Sequence, residues 1–338
     1  MTLHDQLLGP WLKRFLLEYV GTERNLSRNT MHSYRDTFRL LIPELTAASG
    51  RSAESLLLSD MTEDRMIGFL DSLERDRACS ARTRNQRFAS VCAFAKYVSM
   101  HSPEHVEWCG VLRSIPQKKS QRRIVTYLEK DEMNALLEAP NRNTIRGFCD
   151  YAMLLFLYNT GARADEAASV LIKDVSYPIN GTDTAMVTMT GKGRKTRRCP
   201  LWRTTCKVLK AITGNRDPGE HLFLNCRGKP ITRFGIYEMV TRHSKAASEK
   251  LPSIGEKRPS PHTIRHTTAT HLLQAGVDIN TIRAWLGHVS VNTTNIYAEV
   301  NMQMKALALE KCELSDGGGR PKVHWRDNKK LMDFLDGL

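Results

Sequence analysis

The sequence lacks the features that would place the protein in a membrane or build it around disulfides or zinc. Its longest apolar cluster, residues 152–158, is too short to cross a bilayer. The first ten residues contain no basic segment followed by an apolar core, so no signal peptide is predicted. The eight cysteines include no Cys-x-x-Cys pair, and most lie in apolar stretches. We therefore expect reduced thiols packed in the cores of a cytoplasmic protein and no metal ligands.

Acidic residues are scarce relative to basic ones. The 338 residues include 50 Lys and Arg against 36 Asp and Glu, which gives a formal net charge of +14. This balance favours a polyanionic partner, with nucleic acid slightly ahead of the alternative of a merely basic soluble protein. A membrane surface is less favoured because no basic amphipathic helix stands out. The length predicts roughly two domains of ordinary soluble composition.

Residues 1–114 are predicted to form an all-helical domain, with Ser27 as a helix N-cap. The helix that begins near Ser80 has no acidic residue before Lys96. Its inward face is predicted to consist of Phe88, Val91, Ala95 and Val98, and its early turns carry Arg82, Arg84, Asn85, Gln86 and Arg87. Basic and amide side chains of this kind suit a DNA major groove. A solvated basic face is the alternative, and the two interpretations are about even.

Residues 115–125 lose the helical periodicity and are predicted to be a basic interdomain linker. Lys118, Lys119, Arg122 and Arg123 could lie along a phosphate backbone, although basic linkers without a partner also exist. Residues 126–313 are predicted to be helical except for short strands at residues 185–189 and 198–201, which a turn at residues 191–195 connects. The predicted fold class is mainly α with a small antiparallel β-sheet. Residues 314–338 form a tail with an amphipathic pattern.

The first of three segments that could carry chemistry follows a nearly all-apolar helix over residues 148–158. Gly161 is expected to end that helix, and Arg163 then stands at the entry to the next one, where it is suited to hold an anion. Glu166 lies three residues further on and could orient the Arg163 guanidinium. Taken alone, the pair is better explained as a surface salt bridge.

The second and third segments lie closer to the C-terminus. Pro261 suits a first helical turn, and His262 and Arg265 share a helix face, where they could move a proton and hold a phosphate oxygen. Gly287 is expected to end a helix capped by Asp278, and Ser290 to cap the helix that carries Tyr297. Single residues here have simpler interpretations: Tyr297 could be a buried helix tyrosine and His288 a charge at a helix end. Lys192, in the predicted turn at residues 191–195, could likewise be a solvated lysine.

Together these motifs resemble the tyrosine recombinase (phage integrase) family. The resemblance rests on Thr-Gly-Ala-Arg at Arg163, His-x-x-Arg at His262 and Arg265, Leu-Gly-His at His288, and Tyr297 nine residues after His288. Lys192 lies on the predicted turn between the first two of these motifs. It implies that Tyr297 attacks the scissile phosphate and becomes linked to the 3′ end. Arg163 and Arg265 would neutralise the non-bridging oxygens, and Lys192 would protonate the departing 5′ oxygen. His262 would assist proton transfer at the tyrosine, and His288 would hydrogen-bond the phosphate.

The resemblance also implies a two-domain clamp on double-stranded DNA, with Arg194 and Lys195 of the turn as further DNA contacts. It implies a homodimer on one site, a tetramer in the synapse, a nucleoid-associated location, and no metal, ATP or other cofactor. We expect a mobile-element recombinase without a separate arm-type domain, whose tail from Gly317 docks on a neighbouring protomer or folds back on its own domain. The alternatives are a type IB topoisomerase-like enzyme and an inactive DNA-binding module.

Overall fold

A computed structural model of the chain describes residues 6–120, 125–177, 184–191, 193, 195–287, 333, 336 and 337. The chain divides into two compact units, Met1–Arg123 and Ile124–Leu338. Both units are mainly helical in their described parts, and a three-stranded antiparallel sheet lies in the second. The predicted combination of helices with a small antiparallel sheet is therefore confirmed.

The first unit contains five α-helices among its described residues: α1 (Leu8–Arg14), α2 (Arg28–Ser49), α3 (Glu63–Arg75), α4 (Ala81–His101) and α5 (Val106–Ser114). A π-helical segment, Phe15–Glu23, continues α1. Ser27 and Ser80 cap α2 and α4, because their side chains accept hydrogen bonds from the backbone N–H groups of Thr30 and Thr83. The core is rich in aromatic side chains and includes Trp11, Phe15, Phe38, Phe69, Phe88 and Phe94. The predicted inward face of α4 is buried.

The second unit begins with α6 (Lys130–Glu138), α7 (Ile145–Thr160) and α8 (Ala164–Ser169). The strands β1 (Val175–Ser176), β2 (Met186–Thr190) and β3 (Thr196–Pro200) follow, and then α9 (Arg203–Thr213), α10 (Arg233–Lys250), α11 (Ser253–Lys257), α12 (Pro261–Gln274) and α13 (Ile279–Leu286). The strands lie in the order β1-β2-β3, with Val187 opposite both Val175 and Cys199. The β2–β3 hairpin was predicted, whereas the two-residue strand β1 is too short to leave a periodic signal in the sequence.

Helix α7 lies at the centre of the second unit, with every residue from Tyr151 to Leu157 buried. A helix that is apolar all round needs partners on all sides, and α6, α9 and α12 pack against it. It ends at Gly161, whose φ of +58° places it in the left-handed region that glycine adopts without a steric penalty. Arg163 follows directly, so the packing of α7 fixes the position of the first candidate site residue.

The described residues include no helix that is long and apolar enough to cross a membrane. Seven cysteines are described, all as free thiols. Cys109 and Cys199 are buried as predicted, but Cys226 is exposed, which corrects the expectation of core packing for that residue. Cys226 lies in the turn that joins Leu224 to Pro230, and residues 226–230 are all exposed.

Candidate active site

Two glycine turns that are distant in sequence meet in the second unit. Gly161 ends α7, and Gly287 ends α13 with a φ of +66°. A Cβ added at Gly161 would lie 2.5 Å from Leu286 Cδ2, and the φ of +58° also favours glycine, so a larger residue here would be strained. The Asp278 side chain caps the other end of α13, as predicted, by accepting from the N–H groups of Asn280 and Thr281. The close approach of Gly161 to Leu286 brings the Thr-Gly-Ala-Arg motif into contact with the first residue of the Leu-Gly-His motif.

Arg265 connects these two turns from the inside. Its Nη1 donates to the Gly161 carbonyl and its Nη2 to the Leu286 carbonyl, both at 2.6 Å. The residue is 1% exposed, and it is the largest fully buried side chain of the described residues. The carbonyls at a helix C-terminus need donors from outside the helix, and Arg265 supplies them for α7 and α13 together. Its predicted contact with a phosphate oxygen stays a prediction.

Glu166 is a second buried charge at the same place and is 3% exposed. Its Oε1 accepts from Arg163 Nη1 at 2.6 Å, and its Oε2 accepts from the Arg163 backbone N–H at 2.8 Å. This is the contact that the three-residue spacing predicts. The side chain of Arg163 remains 38% exposed, so one end of its guanidinium is fixed by Glu166 while the side chain still reaches solvent.

The Glu166 carboxyl is held in its ionised form. Burial alone would raise its pKa, but the hydrogen bond and charge of Arg197 and the bonds from Arg163 outweigh burial and lower the pKa to about 2. Arg197 Nη2 donates to Glu166 Oε2 at 2.7 Å, and Arg265 Nη1 lies 4.0 Å from the same oxygen. Three guanidinium groups therefore surround one carboxylate, and these four side chains carry two positive charges in excess.

His262 and His266 follow each other by one turn on α12, and their ring centroids lie 4.3 Å apart in an edge-to-face arrangement. Burial, followed by the charges of Arg265 and Arg163, lowers the pKa of His262 below its usual 6.5. Burial, His262 and Arg265 lower the pKa of His266 to about 4. Both imidazoles are therefore neutral at pH 7, and His262, which is only partly covered and still reaches solvent, can accept a proton.

The turn between β2 and β3 approaches the same carboxylate. The N–H of Gly191 donates to the Lys195 carbonyl at 2.8 Å and so closes the turn. A Cβ added at Gly191 would lie 2.8 Å from Glu166 Oε1, so the start of the turn rests directly against Glu166. Lys192, His288 and Tyr297 lie outside the described residues, and their predicted roles stay predictions.

The sequence of the second unit matches the phage integrase family over residues 126–304, which is more than half of the chain. The chain is also 36% identical to y4rC of Sinorhizobium fredii, a protein named as an integrase/recombinase, over the full length of both. The chain belongs to the phage integrase family of tyrosine recombinases. As a member it is an enzyme, a tyrosine-type site-specific recombinase.

Further relatives and solved structures resemble this recombinase over most of its length. It is 29% identical to the tyrosine recombinase XerD of Staphylococcus saprophyticus, over 84% of this chain and 92% of XerD. The Tn1549 transposon integrase, solved with transposon right end DNA, matches with a TM-score of 0.68 and 16% identity, over 89% of this chain and 98% of that chain. The XerH recombinase, solved in a post-cleavage complex with a difH substrate, matches with a TM-score of 0.66 and 21% identity, over 86% of this chain and 82% of that chain. At these identities, the structural matches establish the fold.

Arg197 is the residue of this recombinase site that sequence reasoning missed. It lies on β3 opposite Met189, and its side chain is 9% exposed. Besides its bond to Glu166, its Nε donates to the Trp285 carbonyl at 2.9 Å. A signal for it exists in the sequence, because residues 197 and 199 share one face of the strand and Cys199 is apolar. An arginine on the inward face requires a carboxylate partner.

The predicted DNA-reading face of α4 is partly corrected. Arg84 is 4% exposed, and its Nε lies 3.7 Å from Glu74 Oε2, so its side chain is packed inside the first unit and is not part of an exposed basic face. The helical periodicity places residue 84 four positions before Phe88, on the buried face. Arg82 is exposed, whereas Arg87 is half-buried with its Nη1 3.3 Å from Thr37 Oγ1.

The remaining predicted DNA contacts differ in their surroundings. Lys118 is exposed but forms ion pairs with Glu74 and, at 3.6 Å, with Asp71, while its backbone is hydrogen-bonded to Asn85. The linker is therefore attached to the first unit at this residue. Lys119 and Lys195 are exposed. Arg122, Arg123 and Arg194 lie outside the described residues.

Proposed function

We propose that this recombinase cuts and rejoins double-stranded DNA at a specific site through a 3′-phosphotyrosyl intermediate on Tyr297. The observation that supports this most directly is the convergence of Arg163 and Arg265, which lie 102 positions apart in the sequence, at the buried carboxylate of Glu166. His262 is close enough to both arginines for their charges to lower its pKa. Such a cluster is costly to assemble unless an anionic group balances it, and a phosphodiester is the anion that the family suggests.

Arg163 and Arg265 are proposed to hold the non-bridging oxygens of the scissile phosphate. Arg163 is the most exposed of the three guanidiniums around Glu166, and a guanidinium presents donors in a fixed fork that fits two phosphate oxygens. Because Glu166 and the backbone carbonyls fix these guanidiniums in advance, little reorganisation is needed as negative charge develops in the transition state.

The phenol of Tyr297 has an ordinary pKa near ~10 and must lose its proton as it attacks phosphorus. His262 is neutral at pH 7 and is proposed to assist that proton transfer. The new P–O bond to the tyrosine forms as the bond to the 5′ oxygen breaks, and Lys192 is proposed to protonate that oxygen. The phosphotyrosyl ester keeps the energy of the broken bond, so rejoining by a 5′ hydroxyl needs no ATP, and the resemblance to the family implies that no metal is needed either. His288 is proposed to hydrogen-bond the phosphate.

The proposed substrate and assembly follow from charge and from the relatives. The net charge of +14 suits a polyanion, and solved structures with the same fold contain a bound difH substrate or transposon right end DNA. We propose that the two units clamp one duplex, that a dimer occupies one site, and that a tetramer joins two sites, with the segment from Gly317 docking on a neighbour. A role in moving a genetic element is proposed because integrases are among the relatives.

Covalent capture of DNA tests this function and identifies the DNA target sequence in the same experiment. Purified protein is incubated with sheared genomic DNA of the organism that carries its gene, the mixture is denatured, and protein-linked DNA is sequenced. We expect wild type and Tyr237→Phe, a control at an exposed tyrosine, to capture 3′ ends at a discrete site. Tyr297→Phe should bind that DNA but capture none.

The other outcomes each contradict part of the proposal. Absence of an adduct from wild type on DNA that it binds would indicate an inactive binding module. An adduct that only reseals its own nick, without joining two duplexes, would indicate a topoisomerase-like activity. An adduct that persists in Tyr297→Phe would show that another residue is the nucleophile.

A further inference from the structure

Arg197 occupies the junction of three elements that carry proposed catalytic residues, although it belongs to none of the motifs that define the site. We infer that Arg197 is a positioning residue, which holds the Arg163 turn, the Lys192 hairpin and the helix before His288 in one fixed arrangement by bridging Glu166 and the Trp285 carbonyl. The catalytic part of this inference rests on the proposed function.

The first half of the bridge is the contact with Glu166. Arg197 Nη2 donates to Glu166 Oε2 at 2.7 Å, and Glu166 in turn accepts from the side chain and backbone of Arg163. Both Arg197 and Glu166 are nearly excluded from solvent, with side-chain exposures of 9% and 3%. Removing either partner would leave a buried charge without its strongest neighbour, so the contact fixes where the carboxylate lies and hence where it holds Arg163.

The second half of the bridge reaches the end of α13. Arg197 Nε donates to the Trp285 carbonyl at 2.9 Å, and Arg265 Nη2 donates to the next carbonyl, that of Leu286. Two arginines therefore bind two successive carbonyls of the last helical turn, immediately before the Gly287 cap. A Cβ at Gly287 would lie 3.0 Å from Arg197 Cδ, so the arginine stem packs tightly against this turn. The chain leaves for His288 from a point that Arg197 helps to fix.

The third connection is through β3 itself. Arg197 lies two residues after Lys195, the end of the turn that carries Lys192, and Gly191 at the start of that turn rests against Glu166. The hairpin is thus fixed on both sides of the turn to the same carboxylate. A side chain that couples the three elements in this way would influence cleavage without touching DNA, because misplacement of about 1 Å costs on the order of 100-fold in rate.

The experiment compares Arg197→Met with Arg198→Met. Methionine at position 197 keeps an apolar stem against Gly287 and removes the guanidinium. Arg198 is the exposed neighbour of Arg197 on the same strand, so Arg198→Met changes the net charge by the same amount and serves as the control. Hydrogen exchange followed by mass spectrometry, without DNA, should show faster exchange in Arg197→Met at residues 161–169, 186–191 and 279–287. Arg198→Met should exchange like wild type. Unchanged exchange in Arg197→Met would overturn the bridge.

Cleavage is then measured in single turnovers on a nicked duplex that spans the captured site. We expect Arg197→Met to lower the rate about 10- to 100-fold, with DNA affinity within about threefold of wild type. Arg197→Lys should not restore the rate, because one ammonium cannot replace a fork that bridges two acceptors. A residue that acts only through its positive charge would be rescued by lysine.

The outcomes separate the inference from the function on which it rests. Faster exchange with an unchanged cleavage rate would overturn the positioning role. If wild-type protein forms no adduct, the proposed function and the catalytic part of the inference both fail, while the exchange result still decides whether Arg197 bridges the three elements.

Discussion

Replacing Glu166 with glutamine should destabilise the second unit by about 3 kcal/mol at pH 7. The carboxyl has a pKa of about 2 in the folded protein against a usual 4.5, and each tenfold change in proton affinity is worth about 1.4 kcal/mol. Glutamine keeps the shape of the neutral acid but not its charge, and its amide group would meet the donors of Arg163 and Arg197. The estimate agrees with the roughly 3–5 kcal/mol that breaking other buried ion pairs costs.

The sign of the pH dependence follows from the lowered pKa. A carboxylate whose pKa is depressed by folding adds stability that is complete above the unfolded pKa and is lost as the pH falls through the folded value. The gap between wild type and Glu166→Gln should therefore stay constant from pH 8 to about pH 5. It should narrow below about pH 4.5 and continue to close toward pH 2.

Urea unfolding with pulsed hydrogen exchange measures this gap, and peptides from α7, residues 151–157, report on the second unit alone. Asp165→Asn is the matched control, because Asp165 precedes Glu166 on α8 and its ion pair with Arg233, at 3.6 Å, is exposed. Exposed pairs are worth about 0–1 kcal/mol, so this change should have little effect. A Glu166→Gln loss below about 1 kcal/mol, or a gap that widens in acid, would refute the view that the ionised carboxylate stabilises the site.

Three other measurements follow from the same structure. Gly161→Ala should lower the thermal midpoint of the second unit and cost about 1–3 kcal/mol, because its φ is positive and its Cβ would collide with Leu286; a neutral effect would contradict the turn geometry. In native protein a maleimide should label the exposed Cys226 and spare Cys199, because Cys199 is buried and burial raises its pKa to about 12. Mass spectrometry identifies the labelled thiol, and labelling of Cys199 with Cys226 unmodified would contradict the described packing. The cleavage rate should fall as the pH drops below 6.5 and not above it, because partial burial and two guanidiniums lower the pKa of His262. If this loss of rate in acid persists in His262→Gln, another group is responsible for it.

Sequence and structure agree best where local chemistry decides the outcome. Ser27 and Asp278 were recognisable as helix caps because a capping side chain binds a backbone N–H only two or three residues away. Gly161 and Gly287 were recognisable as helix ends because the left-handed conformation favours glycine wherever it occurs. The spacing of Arg163 and Glu166 predicted their contact for the same local reason.

The sequence by itself determined the family, the order of the motifs, the helical class and the residues proposed for chemistry, because these depend on residue type and short-range spacing. Only the tertiary structure decided which charges are buried and what they hold. Arg265 bonds to carbonyls 104 and 21 positions away, and Arg197 bonds to partners 31 and 88 positions away. Arg84 was assigned to DNA because a basic residue near a helix start resembles its exposed neighbour Arg82. Local periodicity can place an arginine such as Arg84 or Arg197 on an inward face, but long-range packing sets the dielectric around each charge and the partner that it meets there.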